Sequence, residues 1–283
     1  MFLCDYHTHT HFSFDGAPEA THDAMCRRAL EIGLHDLAFT DHCDINGEVE
    51  GIYDTYRADE AFAAMQAVKE TYKGRLNILC GIELGNAHQY PSEAAAVLAA
   101  HPYEFVIGSL HNLRDVPDFC MLKYDMMTAP HVSRLFDRAL DETIEMVSTV
   151  GGPTTGGPTT SGLTTVGHIT YIHRYITLAG KTFDFKPYYD KLTALYRILI
   201  ERDIALELNV STLWKGLGIA MPTLELLKLY RDCGGRLVTI GSDAHAPENL
   251  GKAIRKGYAL LATAGLNQVL TVQNGERVMQ RID

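Results

Sequence analysis

Short β-rich runs alternate with longer amphipathic segments along nearly all of this 283-residue sequence. Such alternation is typical of repeated βα units that build a parallel sheet. The segments predicted as strands are 2–7, 36–40, 77–84, 105–111, 164–170, 205–210 and 237–241. This number of strands, in a chain long enough to bury a large core, predicts an α/β barrel, and we expect residues 1–283 to form a single domain.

Helical patterns fill the intervals between these strands. The segments predicted as helices are 18–32, 57–72, 92–100, 131–149, 187–202, 222–233 and 247–264. Pro222 and Pro247 suit a first helical turn, whereas Gly33, Gly74 and Gly234 suit helix ends. The boundaries therefore agree with the alternating pattern.

A repeated unit interrupts this pattern before the fifth predicted strand. Residues 151–155 read Gly-Gly-Pro-Thr-Thr, and residues 156–160 repeat them before Ser161-Gly162. This composition cannot pack an apolar face, so we expect a flexible loop over 151–162. The loop enters the N-terminal side of the next strand, away from the face where barrel enzymes hold their sites, and this favours a linker over an active-site lid.

Charge and composition narrow the classes of partner and location. A formal net charge of −10 argues against a nucleic-acid partner, because such binding usually draws on a basic surface. The sequence shows neither a signal-peptide pattern nor an apolar run long enough to cross a bilayer, so we expect no membrane partner. The six cysteines lack close pairing, which favours reduced thiols and a cytoplasmic location. The oligomeric state stays open.

Nearly every predicted strand has a metal-binding type of residue at or just after its end. The C-terminal ends of strands in a parallel barrel meet at one face, so these side chains should converge there. In His7-Thr8-His9, residues two apart lie on the same side of a strand, so both imidazoles should point together. The full set is His7, His9, His42, Glu83, His111, His168, Glu207, Asn209, Asp243 and His245.

The types of ligand indicate the metal and its chemistry. Imidazoles mixed with carboxylates, without a pair of cysteines, suit Zn, Mn or Fe. One ion needs three or four protein ligands and the set supplies about nine, so we expect more than one ion. Clustered ions polarise a phosphoryl oxygen and generate hydroxide near neutral pH, which favours hydrolysis of a phosphate ester.

Read with their neighbours, these residues resemble the PHP (polymerase and histidinol phosphatase) superfamily. The resemblance runs in consistent order to about Ala246, and within the superfamily the chain is most similar to the monofunctional histidinol-phosphate phosphatases. It implies a distorted (β/α)7 barrel that holds a trinuclear metal centre. The motifs that carry it are His7-Thr8-His9, Ser13-Phe14-Asp15-Gly16, Thr40-Asp41-His42, Gly81-Ile82-Glu83, Gly108-Ser109-Leu110-His111, Gly167-His168 and Gly241-Ser242-Asp243-Ala244-His245.

The resemblance implies a ligand set for each of three divalent ions. The ligands of the first ion would be His7, His9, Glu83 and Asp243. Glu83 would bridge to a second ion, which His111 and His168 would also bind. The ligands of the third ion would be Asp15, His42 and His245. Related proteins often have His at the position of Asp15, so this residue bears on the strength or identity of the third ion.

The resemblance also implies a reaction, the hydrolysis of L-histidinol phosphate to L-histidinol and phosphate in histidine biosynthesis. A second interpretation keeps the barrel and the ions but changes the substrate to another small phosphomonoester, a nucleotide or a phosphotyrosine peptide. A third is a non-catalytic metal-binding module. The complete ligand set argues against the third interpretation, because a degenerate module should have lost some ligands.

The sequence motifs indicate the substrate-binding residues less specifically than the metal ligands. A basic residue shortly after His168 is expected to hold phosphate, and Arg174 is favoured over His173 because a guanidinium contacts phosphate in a bidentate way. An ion pair between Arg174 and a surface carboxylate is the alternative. Arg114 is a further candidate for phosphate. Glu207 could bind the amino group or imidazole of the substrate, or make a structural hydrogen bond.

The remaining polar residues near these motifs are predicted to have supporting roles. Asp41 is expected to support His42 or to cap a helix rather than to bind metal. Trp214 is expected to pack locally, with a cover over the pocket as the alternative. Solvated or capping roles are expected for His22, His35, His88, His101 and His131.

Overall fold

A computed structural model describes residues 1–46, 56–153 and 162–282. Its main feature is a parallel sheet in which the strands follow the order β1-β2-β4-β5-β6-β7-β8, with β3 also paired to β4. These strands are β1 (Cys4–Asp5), β2 (Asp36–Phe39), β3 (His42–Asp44), β4 (Asn77–Gly85), β5 (Phe105–Ser109), β6 (Thr165–Val166), β7 (Ala205–Asn209) and β8 (Val238–Gly241).

The sheet curls until its first and last strands meet. The backbone N–H of Tyr6 donates to the carbonyl of Ile240 at 3.0 Å, and the N–H of Asp243 donates to the carbonyl of His7 at 2.9 Å. These bonds close the sheet into a distorted barrel with parallel strands, as the sequence predicted. They also place the His7 region directly beside Asp243.

β2 and β3 behave as a single strand with an interruption. Phe39 lies opposite Cys80, and His42 lies opposite Glu83 in the same register. Only Thr40-Asp41 leave the ladder between them. This short third strand was not predicted, because the sequence was read as one run that ended at Thr40. Its consequence is that His42 lies level with Glu83.

Nine helices accompany the strands in the described part of the chain, and most agree with the predicted segments. α5 and α7 were not predicted, and the strand predicted over 164–170 ends at Val166. Pro222 lies before α8, and Pro247 begins a short 3-10 turn, so neither starts an α-helix. The helices are α1 (His22–Ile32), α2 (Ala58–Thr71), α3 (Pro91–Ala100), α4 (Ala129–Thr149), α5 (Tyr171–Leu178), α6 (Tyr189–Glu201), α7 (Ser211–Trp214), α8 (Leu224–Asp232) and α9 (Ile254–Ala264).

β7 shows how one strand serves both the core and the site. Its side chains alternate in direction, so Glu207 and Asn209 point to one side while Leu206 and Leu208 point to the other. All four are buried. The side chain of Leu208 adjoins Gly257 of α9, and the alternation places Leu206 on the same side, as expected of parallel strands covered on both faces.

A C-terminal hairpin that was not predicted consists of β9 (Gln268–Gln273) and β10 (Glu276–Arg281). Its two-residue turn is Asn274-Gly275, and both residues have positive φ, 53° and 79°. This pair is a strong sequence signal for a hairpin turn. The side chain of Asn77, at the start of β4, donates to the carbonyl of Val272 at 2.9 Å. The hairpin therefore packs at the end of the barrel opposite the predicted site.

The described ends of the repeated Gly-Pro-Thr segment lie close together. The N–H of Leu163 donates to the carbonyl of Gly151 at 2.9 Å. Leu163 comes just before the N-terminal end of β6. The predicted flexible loop itself falls mainly on residues 154–161, which lie outside the described residues.

Two further expectations concern the state of the cysteines and the presence of a membrane-spanning segment. All six cysteines are free. Within residues 1–46, 56–153 and 162–282, every helix is too short or too polar to cross a membrane.

A leucine pair tests the assignment of the core. Leu206 in β7 has no exposed surface, whereas Leu178 at the end of α5 is 59% exposed. We expect Leu206→Ala to lower the free energy of unfolding by about 2–5 kcal/mol, because it leaves a cavity. Leu178→Ala should change it by less than about 0.5 kcal/mol. Urea unfolding of the metal-free protein measures both, and equal effects would contradict the assignment.

Candidate metal centre and cleft

The barrel brings every predicted metal ligand to its C-terminal mouth. Four groups of side chains each place one ligand atom per residue within 4.8 Å of the others. Asp15 adjoins them, because its carboxylate lies 3.1 Å from Nε2 of His245 and 3.7 Å from Nε2 of His42. The four groups are His9-His42-His245, His7-His9-Asp243, His7-Glu83-His168 and His42-Glu83-His111.

Glu83 lies at the centre of this arrangement. Its Oε2 is 3.2 Å from Nε2 of His7 and 3.5 Å from Nε2 of His9. Its Oε1 is 3.3 Å from Nε2 of His111 and 3.0 Å from Nε2 of His168. Nδ1 of His42 also lies 2.9 Å from Oε2. The two oxygens thus face separate sets of imidazoles, which is the arrangement needed for a carboxylate that bridges two ions.

The imidazoles keep Glu83 in its charged form. Burial alone would raise the pKa of this fully buried carboxyl, but the charges of His7, His42 and His111 outweigh burial and hold the pKa well below its usual range. A buried carboxylate survives when opposite charges compensate its lost hydration. Glu83 therefore supplies a permanent negative charge in the middle of the site.

The rings of His42 and His245 both lie beside the ring of His9, in the group His9-His42-His245. The ring centroid of His9 lies 4.2 Å from that of His42 and 4.1 Å from that of His245, and both pairs are stacked. Nδ1 of His42 lies 2.9 Å from Oε2 of Glu83, while its Nε2 faces Asp15. This ring thus connects the centre of the cluster to Asp15 at its outer edge.

Asp243 adopts an uncommon backbone conformation. Its φ is 56°, in the left-handed region that non-glycine residues rarely occupy. This conformation places its Oδ1 3.6 Å from Nε2 of His9, and Nδ2 of Asn209 donates to its other oxygen at 3.4 Å. Strain of this kind persists where the surroundings over-determine the conformation, and it clusters at functional sites.

The cluster fits a metal because several of its inward atoms form no hydrogen bond within the described residues. Buried atoms without a hydrogen bond include Nε2 of His7, His9 and His245 and Oε2 of Glu83. Leaving a buried polar atom unpaired costs about 1–3 kcal/mol, and a bound cation would remove this cost for several atoms at once. The donor atoms are imidazole nitrogens and carboxylate oxygens, a combination that suits Zn, Mn or Fe.

Buried carboxylates behind two candidate metal ligands orient their rings. Glu207 accepts from Nδ1 of His7 at 2.6 Å and from the backbone N–H of His168 at 2.6 Å. Asp44 accepts from Nδ1 of His111, also at 2.6 Å. A donor at Nδ1 leaves Nε2 free to bind a metal. Of the two roles that the sequence left open for Glu207, the structure shows the structural hydrogen bonds, because both of its oxygens are buried and already paired.

Asp41 supports the His-Thr-His turn more than it supports His42. Its carboxylate accepts from the backbone N–H and the hydroxyl of Thr10, at 2.5 and 2.9 Å, and from the hydroxyl of Ser13 at 2.7 Å. The same Ser13 oxygen lies 3.1 Å from Nδ1 of His9 and accepts from the N–H of His42 at 3.1 Å. Ser13 thus connects Asp41 to both histidines.

A cleft of about 390 Å³ opens above the cluster. Arg174, on α5, borders it with its guanidinium 5.6 Å from the ring centre of Tyr175. Arg174 forms no ion pair with a carboxylate in the described residues, so the predicted alternative of a surface ion pair is not what the structure shows. Besides metal-ligand candidates, the cleft is lined by Phe14, Asp118, Cys120, Tyr171, Arg174, Tyr175, Trp214, Lys215 and Asn249.

Two predicted substrate residues lie elsewhere. Arg114 forms a two-pronged ion pair with Glu145, at 2.6 and 2.9 Å. His173 is buried, and its ring lies 4.9 Å from that of Phe185. Neither borders the cleft. Arg114 is held by the carboxylate opposite it, and His173 lies on the face of α5 that packs against apolar side chains.

Several residues were missed or misjudged from the sequence. Asp44 follows His42 by two positions on β3, so recognising that strand would have placed it on the same side. Lys215 borders the cleft but comes after a very short helix, and no sequence pattern indicated it. His22 and His88 are buried rather than solvated, and His88 lies 2.9 Å from a carboxylate oxygen of Glu142.

Together, the fold and the site define a class of protein, a parallel barrel with a cluster of metal-binding side chains at its C-terminal mouth. A model of the PHP domain family matches residues 5–211 of the sequence. The chain therefore belongs to the PHP domain family, in agreement with the resemblance seen in its motifs.

Relatives similar over most of their length carry consistent names. The histidinol-phosphatase of Lactococcus lactis subsp. lactis (strain IL1403) is 24% identical over 271 residues, which cover 96% of this chain and 94% of the relative. A Thermotoga maritima protein named probable histidinol-phosphatase is 26% identical over 255 residues, covering 90% and 89% of the two chains.

A solved structure shares the fold. It is histidinol phosphate phosphatase from Lactococcus lactis subsp. lactis Il1403, complexed with Zn, L-histidinol and phosphate. Its TM-score is 0.79 with 21% sequence identity, over 98% of each chain. At this identity, the similarity establishes the barrel architecture.

The link from Asp41 through Ser13 to His9 gives a prediction. We expect Asp41→Asn and Ser13→Ala to weaken zinc binding by about 10–100-fold, because His9 loses its orienting partner. Zinc titration against a competing chelator measures the effect. Asp59→Asn is the control, because its side chain is 96% exposed and remote from the cluster. Wild-type zinc affinity in both folded variants would contradict the supporting role.

Proposed function

We propose that this protein is a metal-dependent phosphatase that hydrolyses L-histidinol phosphate to L-histidinol and phosphate in histidine biosynthesis. One observation carries the proposal. The floor of the cleft is a cluster of imidazoles and carboxylates whose inward atoms include several without a hydrogen bond, and the wall carries Arg174, which has no carboxylate partner among the described residues. The names of relatives that match nearly the whole chain support the choice of substrate.

We propose three divalent ions for this centre, with Zn, Mn and Fe as the candidate metals. The proposed ligands of the first ion are His7, His9, Glu83 and Asp243. Glu83 would be shared with a second ion, whose other ligands are His111 and His168. The proposed ligands of the third ion are Asp15, His42 and His245. The two oxygens of Glu83, which face different sets of imidazoles, support the bridge.

Each group of residues has a separate task in this proposal. Such ions, when bound, polarise a phosphoryl oxygen and lower the pKa of water. Glu207 and Asp44 hold the rings of His7 and His111 with Nε2 directed inward. Arg174 can donate two parallel hydrogen bonds to the phosphoryl oxygens, and its constant positive charge offsets the charge of the ester.

The walls of the cleft suit a small ester with a flat ring. Tyr171, Tyr175 and Trp214 border the cavity and offer aromatic faces to an imidazole. The volume of about 390 Å³ falls in the range of pockets for small molecules. A polymeric substrate is not needed to account for it.

Some properties remain proposals from composition and pattern. We propose a cytoplasmic enzyme of one domain over residues 1–283, with a small-molecule substrate and no nucleic-acid or membrane partner.

A substrate panel tests the function. Zinc- or manganese-loaded protein should release phosphate from L-histidinol phosphate at least about 100-fold more efficiently, in kcat/KM, than from nucleotides or aryl phosphates, because a site built to hydrogen-bond one substrate rejects analogues that leave its polar groups unpaired. Phosphate release and metal content are measured on the same sample. A reversed ranking would contradict the substrate but leave a phosphatase, and no release from any ester would contradict the enzyme.

The bridging role of Glu83 gives a second test. Glu83→Gln keeps the shape of the side chain but removes its charge, so we expect the metal content to fall by at least one ion and kcat to fall by about 100-fold or more. Elemental analysis and steady-state kinetics measure these changes. Glu31→Gln, on an exposed side chain of α1, should change neither. A fully metallated and active Glu83→Gln variant would refute the bridge.

A further inference from the structure

We propose that Lys215 is a second phosphate-binding cation, which acts with Arg174 on the same phosphoryl group. This inference rests on the proposed phosphatase function, and it assigns a residue that neither the motifs nor the metal cluster indicated. Lys215 borders the cleft together with Arg174, Asp243 and Asp15.

The segment that carries Lys215 is fixed beside the cluster. The indole N–H of Trp214 donates to the carbonyl of Ser242 at 2.9 Å, and Ser242 directly precedes Asp243. The N–H of Lys215 donates to the carbonyl of Ser211 at 3.0 Å, which closes the last turn of α7. Lys215 therefore starts from a backbone position that is tied to the strand end bearing Asp243.

The ammonium group of Lys215 has no carboxylate partner within the described parts of the chain. Other lysines contrast with it, since Lys69 pairs with Glu104 and Lys191 pairs with Asp137 at 2.6 Å. The nearest aromatic contact of Lys215 is the ring of Trp214, 5.0 Å from Nζ to the centroid. Its cation is thus available to an anion in the cleft.

The positive charges of Lys215 and Arg174 both interact electrostatically with Asp243. Partial desolvation lowers the pKa of Lys215, and the charged groups that also act on it are Asp243, Arg174 and Asp15. The pKa of Arg174 is likewise influenced by Asp243. Arg174 comes from α5 and Lys215 from the turn after α7, so the two cations approach the region of Asp243 from different elements.

Two unpaired cations beside one cavity match the charge of a phosphomonoester dianion. The planar guanidinium can bind two oxygens, whereas an ammonium acts as a mobile point charge that can reach a third. The geometry thus favours phosphate recognition by both residues.

The alternative role for Lys215 is a packing contact with the ring of Trp214. Lys252 is a matched control for that role, because it contacts the same ring. Its Nζ lies 5.3 Å from the centroid of the same ring. It donates to Oδ1 of Asn249 at 2.8 Å and does not border the cleft. The two lysines share an aromatic contact and differ in their access to the cavity.

The experiment is calorimetric titration of inorganic phosphate into zinc-loaded, full-length protein. We expect Lys215→Met to weaken phosphate binding by about tenfold, the loss of one charge-assisted hydrogen bond. Lys215→Arg should restore most of the affinity, and Lys252→Met should bind phosphate like the wild type. In kinetics, Lys215→Met should raise KM for the ester more than it lowers kcat. Lys215→Gln repeats the test should the Met variant not fold.

Three results would overturn the assignment. They are unchanged phosphate affinity in both folded neutral variants of Lys215, an equal loss in Lys252→Met, and a loss of zinc from Lys215→Met that accounts for the weaker binding. Failure of the proposed function looks different. The wild type would then not prefer L-histidinol phosphate in the panel, while its phosphate affinity would still depend on Lys215, and the present assignment would stand.

Discussion

The charge of Glu83 is the constraint on which the other parts of the site depend. This carboxylate is fully buried, and a lone charge in such a place would be very costly. It is maintained because imidazoles surround it, with His7 and His9 near one oxygen and His111 and His168 near the other. Bound metal cations would compensate the charge of Glu83 more fully than the imidazoles do. Burial, which makes an unpaired carboxylate destabilising, therefore also makes this carboxylate suited to bind metal ions.

The barrel provides this compensation by bringing together distant parts of the chain. The His-Thr-His turn follows the first strand, and Asp243 follows the last strand of the barrel, yet the closing hydrogen bond between His7 and Asp243 makes them neighbours. The interrupted second strand places His42 level with Glu83. The metal-binding geometry is therefore a product of barrel closure rather than of any local motif.

Much of this could be predicted from the sequence because it depends on local pattern. The strand ends of a parallel barrel must converge, so Glu83, His111 and His168 could be placed at one mouth from periodicity alone. Glu207 could be placed there as well, but its role could not be predicted. Its pairing with His7 joins positions far apart in the chain, and only the folded barrel shows that both of its oxygens are occupied.

The parts that could not be predicted depend on contacts between elements. In the sequence, Arg114 and Arg174 look equivalent, because each is a basic residue that follows a metal-binding motif. In the structure they differ, because Arg114 pairs with the carboxylate of Glu145 and Arg174 does not. Lys215 follows a helix too short to have a periodic pattern. The Asn274-Gly275 turn is a different case, since this pair of residues is by itself a local hairpin signal.

The most direct measurement of the central claim is a crystal structure of the zinc-loaded protein with anomalous scattering recorded at the zinc absorption edge. The account predicts three anomalous peaks at the mouth of the barrel, with each oxygen of Glu83 about 2.0–2.2 Å from a different ion. A single peak, or a Glu83 carboxylate that contacts one ion or none, would contradict it.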